Sequence, residues 1–203
     1  MTAEQFILQV QVKLNRLDTS SYQDVRPEEV VFFANNALKA LILAFDIGQY
    51  SMLVNTPAVL IYLSNLIKRG AEAALVSNEV ALPVDILKFK DVQVYVTIGE
   101  EAAWCPTREY NNEKTSNRED NPFRQSYPDE PIYRLIDGQI KFDVNGFNCT
   151  KIRYDYLQTP IEITENSTLT YPFMNELEDK TVTLILENLE SRRVQTQPAV
   201  SRS

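Results

Sequence analysis

The groups in this 203-residue chain that could do chemistry are two thiols, Cys105 and Cys149, and 28 carboxylates; there is no histidine. The commonest general base and the commonest metal ligand are therefore missing together. A nucleophilic cysteine needs a nearby base or cation to hold it as thiolate. Cys105 has no base close to it in sequence and reads as a packed thiol. Paired carboxylates can share general acid and base work, but Glu100–Glu101 and Glu119–Asp120 lie in an acidic chain and read as solvated faces. Asp143, Asn145 and Gly146 have the opening of a calcium loop without its remaining ligands, and read as a strand-ending turn. Glycine is scarce, at 5 residues, and no Walker loop, dinucleotide fingerprint or cysteine cluster is present. The expectation is a protein that is not an enzyme, with no catalytic, cofactor-binding or metal-binding residues.

Composition narrows the partners. The formal net charge is −8 and the sequence pI is about 4.7, with no basic stripe to neutralise a phosphate backbone. Aromatic strands can stack single-stranded bases, as oligonucleotide-binding barrels do, but only beside a basic groove. Lys88, Lys90, Lys141, Lys151 and Arg153 are too few against the surrounding acids for that. Two distant cysteines fit a reducing compartment and free, buried thiols better than a disulfide framework. The first residues lack a basic and then long apolar run, so no signal peptide is read there. The most apolar stretch, 30–45, is broken by Asn35, Asn36 and Lys39 and is too short to cross a bilayer. The glycosylation triplets at Asn148 and Asn166 read as chance matches.

The elements that must position these residues follow from periodicity. Thr2 and Gln5 form a capping box for a helix over 3–17, with Phe6, Val10, Leu14 and Leu17 on one stripe. Pro27, Glu28 and Glu29 start a second helix running to about residue 45. It is apolar on nearly every side, so it is either central or meets a neighbouring subunit. A third helix is capped by Thr56 and begins at Pro57; Leu60, Leu63, Leu66 and Ile67 face inward and Gly70 stops it, with 71–75 as an extension. The period then changes to two. Val92, Val94 and Val96 mark one strand, 131–136 and 139–144 form a hairpin around Asp137–Gly138, and Ile152, Tyr154 and Tyr156 mark another. The sheet is expected to be antiparallel. Between strands, 106–130 is a long polar loop, either a solvated excursion with a short helix or an interaction loop that orders on assembly. Pro172 opens a last helix to about residue 193, with Val182, Ile185, Leu186 and Leu189 on one side and Leu177 extending it. Residues 194–203 form an extended tail, expected to be disordered alone in water. The fold class is α+β: a helical bundle over 1–77, an antiparallel β insert over 78–170, and a helix over 171–193 that completes the bundle.

Several stretches carry a family resemblance. They are Leu82–Pro83–Val84–Asp85–Ile86–Leu87 leading into the valine strand, and Tyr127–Pro128–Asp129–Glu130–Pro131–Ile132–Tyr133–Arg134–Leu135. Gly138–Gln139–Ile140–Lys141–Phe142, Ile152–Arg153–Tyr154 and Tyr171–Pro172–Phe173 follow in order. This order resembles the head-to-tail adaptor proteins of tailed bacteriophages, of the podophage tail tubular protein A type, and the ring proteins of crAss-like phages. The resemblance covers 79–171 and departs from the tight pattern in the long polar loop. It implies a structural virion protein at the head–tail junction, made in the bacterial host cytoplasm; the alternative is another tail component, such as a nozzle, stopper or fibre-docking protein. It implies a cyclic ring, typically of twelve copies, that joins the portal protein to the next tail ring, nozzle or fibre protein and passes double-stranded DNA, with no membrane partner. On the resemblance, Arg192, Arg193, Val194, Gln195, Thr196, Gln197, Pro198, Ala199 and Val200 form an arm toward the portal. Arg108, Tyr110, Arg118, Phe123, Arg124 and Tyr127 form a tail-side interaction loop. Twelve copies would carry roughly −96, a wall along which DNA slides without sticking.

Overall fold

The computed structural model describes residues 1–17, 25–50, 55–110 and 126–196, with 192–196 described by backbone alone. The fold is α+β, with α1 (Ala3–Leu17), α2 (Pro27–Asp46), α3 (Pro57–Leu66), eight strands, and α4 (Met174–Thr196). The strands are β1 (Ile67–Ala74), β2 (Glu79–Ala81), β3 (Ile86–Ile98), β4 (Glu101–Pro106), β5 (Arg108–Glu109), β6 (Ile132–Ile136), β7 (Gln139–Asp143) and β8 (Asn148–Gln158). The chain divides into two compact units. One comprises residues up to Asn65 together with those from Pro160 onward; the other is Leu66–Thr159.

The helical unit is built around α2, whose Val30, Ala34, Ala37, Leu38, Leu41, Ile42 and Phe45 are buried. Of the two alternatives read for this helix, the structure shows it at the centre of the helical core. The capping box of α1 forms as expected: the Gln5 N–H donates to the Thr2 hydroxyl at 3.3 Å, and the Thr2 N–H to the Gln5 side-chain oxygen Oε1 at 3.1 Å. Phe6, Val10 and Leu14 are buried, but Leu17, expected on the same stripe, is 64 % exposed and lines a groove with Leu186. Four aromatic rings close the core. Phe173 lies 5.0 Å from Phe45 and 5.4 Å from Tyr62 between ring centres, and Tyr171 lies 5.7 Å from both Tyr62 and Phe173. These rings come from α2, α3 and the approach to α4, so they lock both ends of the chain into one core.

The β unit packs two four-stranded sheets on one core. Their strand orders are β1-β8-β3-β4 and β2-β7-β6-β5. Val92, Val94, Val96, Ile152 and Tyr154 from the first meet Tyr133, Ile140 and Phe142 from the second. Both strands of the anticipated hairpin form, and Asp137 and Gly138 both take positive φ (50° and 73°), as a two-residue turn of this hand requires. Pairing is antiparallel except between β5 and β6, which run parallel, a departure from the all-antiparallel expectation. It arises because a long connection rather than a hairpin joins β5 to β6, and such a connection can bring the next strand back in either direction.

The third helix is shorter than its sequence suggests. It ends at Leu66, and residues 67–74 form β1 on the edge of β8. Gly70 is a bulge, not a helix stop: its φ is +64°, the register slips between Lys68 and Ala71, and its N–H donates to the Asp155 carboxylate at 2.7 Å. Ala71, Ala73 and Leu75 then alternate against the core. The open hydrogen-bonding edge of β8 thus overrides a weak helical preference. Of the residues expected to face inward from α3, Leu60 is exposed and Leu63 and Leu66 are half-buried; Val59 is the buried one.

The unit boundaries accordingly fall at 65/66 and 159/160 rather than 77/78 and 170/171. Residues 160–169 belong with the helices for two reasons. The Asn35 side chain exchanges two hydrogen bonds with the Ile163 backbone, at 2.9 and 2.7 Å. The Leu169 N–H also donates to the Met1 carbonyl at 2.8 Å. Near the end of the chain, α4 continues through Thr196, so residues 194–196, expected in the tail, are helical. Residues 197–203 lie outside the described residues.

Phe173 is fully buried at the centre of the four rings. Phe173→Ala should cost about 3–5 kcal/mol, read as a lowered denaturant midpoint with an unchanged slope.

Candidate interaction surfaces

The proposed tail-side loop has a rigid base. Arg108 and Glu109 form β5, the outermost strand beside β6. The Arg108 N–H donates to the Pro131 carbonyl at 3.0 Å and the Tyr110 N–H to the Tyr133 carbonyl at 2.9 Å. On the return limb, buried Ser126 accepts the Ile132 N–H at 3.0 Å. The two limbs are therefore fastened to adjacent residues of β6. Arg108 also pairs with Glu130 at 3.6 Å, while the Arg134 guanidinium lies 5.6 Å from the Tyr110 ring centre and bonds Asp143 at 3.2 Å. Tyr127 is 45 % exposed in the tight turn closed by the Glu130 N–H on the Tyr127 carbonyl. The structure brings Arg108, Tyr110 and Tyr127 to one sheet edge; Arg118, Phe123 and Arg124 lie outside the described residues. The pure loop expected over 106–130 is corrected at its start, since a buried sheet edge recruits 108–109 as a strand.

Of the arm residues, Arg192, Arg193, Val194, Gln195 and Thr196 continue α4 as helix. Gln197, Pro198, Ala199 and Val200 lie outside the described residues.

The helical unit has a surface that its sequence reading left unnamed. Two grooves of about 410 and 390 Å³ run between α1 and α4. One is lined by Leu8, Val12 and Met174, the other by Leu17, Val182 and Leu186. Lys13 contributes to both and reaches across to Glu178 at 2.9 Å and Asp179 at 2.7 Å. Desolvation pulls Lys13 down, but the hydrogen bonds and charges of these two carboxylates outweigh it and hold its ammonium above the ordinary lysine value. Glu178 is nearly buried, and Lys13 supplies its countercharge. The i, i+4 spacing of Leu8 and Val12, off the buried stripe, is the sequence signal for this surface.

The two thiols are free. β3 separates Cys105 on β4 from Cys149 on β8. Strands two apart place Cα atoms about 9.5 Å from one another, beyond the roughly 7 Å a disulfide spans. Burial, then the neighbouring Cys105, pushes the Cys149 thiol up to about 12. Among the described residues, no three His, Cys, Asp or Glu side chains gather as a metal-holding group, and no helix is long and apolar enough to cross a membrane. No family model matches the chain, and no curated protein matches it.

Burial also raises the phenols. Tyr133 is pushed up to about 12 by desolvation and then by Glu109; Tyr62, Tyr154, Tyr156 and Tyr171 move upward from desolvation first. Each raised group is neutral in the fold where the unfolded chain would ionise it. The stability they contribute is therefore whole below about pH 8.5, the ordinary thiol value, and is lost as pH rises past about 10 and on toward 12. Circular dichroism followed against pH should show unfolding in that alkaline window, coincident with phenolate absorbance. Ionisation of the full complement of phenols at ordinary tyrosine pH, buried ones included, with the fold intact would contradict it.

Proposed function

We propose that this chain is a non-enzymatic virion protein that forms a ring between portal and tail and leaves a passage for DNA. The observation that carries the reading is the apolar exterior of the helical unit. Leu8 (61 %), Leu17 (64 %), Phe32 (61 %), Leu60 (48 %) and Ile61 (62 %) are exposed on three helices, and Val12 (41 %) stands beside Leu8. Full burial of such a side chain contributes about 1.5–3 kcal/mol. A chain that carries several of them on its outside gains that energy only against other chains. Neighbouring copies are the partner that every subunit of a ring has.

Two further features support the reading. The loop base at β5 and β6 gives a firm footing on which a tail-side contact can be made, through Arg108, Tyr110 and Tyr127 among the described residues. Helix α4 continues through Thr196, so residues 192–196 of the proposed arm extend it. In this account the protein sits at the head–tail junction of the particle after synthesis in the host cytoplasm, and its acidity keeps passing DNA from adhering.

Electron microscopy of the purified chain mixed with its portal should show rings. Exchanging Leu8 and Val12 for glutamate should leave the thermal midpoint of the isolated chain nearly unchanged, since both side chains are exposed, while ring formation is lost. A chain that stays monomeric at every concentration, portal included, would overturn the proposal.

A further inference from the structure

The four edge strands of the β unit are not equally protected. β1 is bulged at Gly70 and carries Lys68, Arg69 and Glu72; β2 has three residues and is pinned by the Glu79–Lys141 ion pair; β5 has two. Charges, bulges and shortness are how sheet edges are kept from pairing with other chains. β4 has no bulge, and its one charge, Glu101, and its proline, Pro106, stand only at its two ends. It runs six residues with unbroken register against β3, and residues 102–105 are Ala-Ala-Trp-Cys.

The register fixes which backbone groups face outward. Ile98 and Glu101 flank the two-residue turn at Gly99 (φ +60°), so they form the hydrogen-bonded pair that closes the hairpin. Alternation then turns the N–H and C=O groups of Ala102 and Trp104 away from β3. Pro106, which has no N–H to offer, falls on the same outward set, where a proline is tolerated.

Beside this edge is a cavity of about 500 Å³. Ala103 and Cys105 lie opposite Val96 and Val94, on the core side of the sheet. With Val96 and Ile98 they give the cavity an apolar floor, and Glu101 and Asp129 stand at its rim. Glu100 adds a third carboxylate at the turn. Among the described residues no lysine or arginine forms an ion pair with any of the three.

We propose that the β4 edge docks an extended segment of a partner protein, which adds as a fifth strand and is basic and apolar in alternate inward positions. Main-chain bonds to Ala102 and Trp104 hold it. An apolar side chain enters the cavity, and a lysine or arginine two residues away meets Glu101 and Asp129. This docking does not depend on ring formation.

Trp104 is the single tryptophan of the chain, so its emission reports on β4 directly. The full-length protein is titrated with the nonapeptide Thr-Val-Thr-Lys-Thr-Val-Thr-Lys-Thr, with a version carrying glutamate for lysine, and with a version carrying proline at its centre. The lysine peptide should bind saturably and shift Trp104 emission. The glutamate peptide should bind at least about tenfold more weakly, because like charges then face each other, and the proline peptide should not bind. Ala102→Pro removes an outward donor and should abolish binding with the circular dichroism spectrum unchanged. Asp129→Lys lies off the strand, so it tests the rim even if the proline variant misfolds; it should weaken the lysine peptide and improve the glutamate one. Equal binding of the two charged peptides, no saturable binding of the lysine peptide, or a Trp104 emission that shifts with protein concentration alone would overturn the proposal, the last by making a second copy the occupant.

Discussion

The contact of Phe173 with Phe45 and Tyr62 is the constraint on which the rest of this molecule depends. Phe45 and Tyr62 precede the β unit in sequence and Phe173 follows it. The helical core is therefore incomplete until the chain has finished its β excursion and returned. Asn35 and the Met1–Leu169 backbone bonds hold the returning segment against α1 and α2 before α4 begins. A core assembled from both ends of a chain is closed by contacts distant in sequence, which carries a loop-closure cost that buried aromatic area offsets. The β unit needs no such help, since each of its sheets is internally paired and both share one apolar core.

With its own core closed, the helical unit still has apolar side chains left over. α2 uses its length to fill the centre and sends Phe32 outward; α1 divides into a buried stripe and the exposed pair Leu8 and Val12. α3 is the extreme case, a strongly apolar helix of which Val59 alone is buried. Polar crossings such as Lys13 to Glu178 and Asp179 sit between the α1–α4 grooves. They fix the spacing of the two helices and so preserve the shape of the apolar surface beside them. An apolar surface of fixed shape suits a permanent neighbour, and that is the physical content of the ring proposal.

Much of the fold was legible in the sequence because its signals were local. The Thr2–Gln5 box, Pro27 and Pro57 at helix starts, the alternating valines of β3 and the Asp137–Gly138 turn each act within a few residues, and each forms. What sequence misassigned depends on distant partners. Ile67–Ala74 has no strand pattern strong enough to announce itself, and becomes a strand because β8 offers it an edge. Gly70 has the same positive φ whether it stops a helix or makes a bulge, so residue type alone could not decide. Strand β4, with two alanines and a lone Trp104, has little strand signature, and its pairing with β3 comes from the Gly99–Glu100 turn. Arg108, Tyr110 and Tyr127 were named as interaction residues on the family resemblance, and the base that holds them was not read. It needs Ser126 to be buried beneath Ile132, a requirement with no period or motif behind it.

The central claim is that the exposed apolar side chains of the helical unit are covered by other copies in the assembled state. Hydroxyl-radical footprinting read residue by residue tests it most directly, comparing the dilute chain with its highest-mass form. The account predicts that Leu8, Val12, Phe32, Leu60 and Ile61 are labelled in the dilute chain, and that a contiguous subset including Leu8 and Val12 is strongly protected in the assembly. Identical labelling of all five in both forms would contradict it.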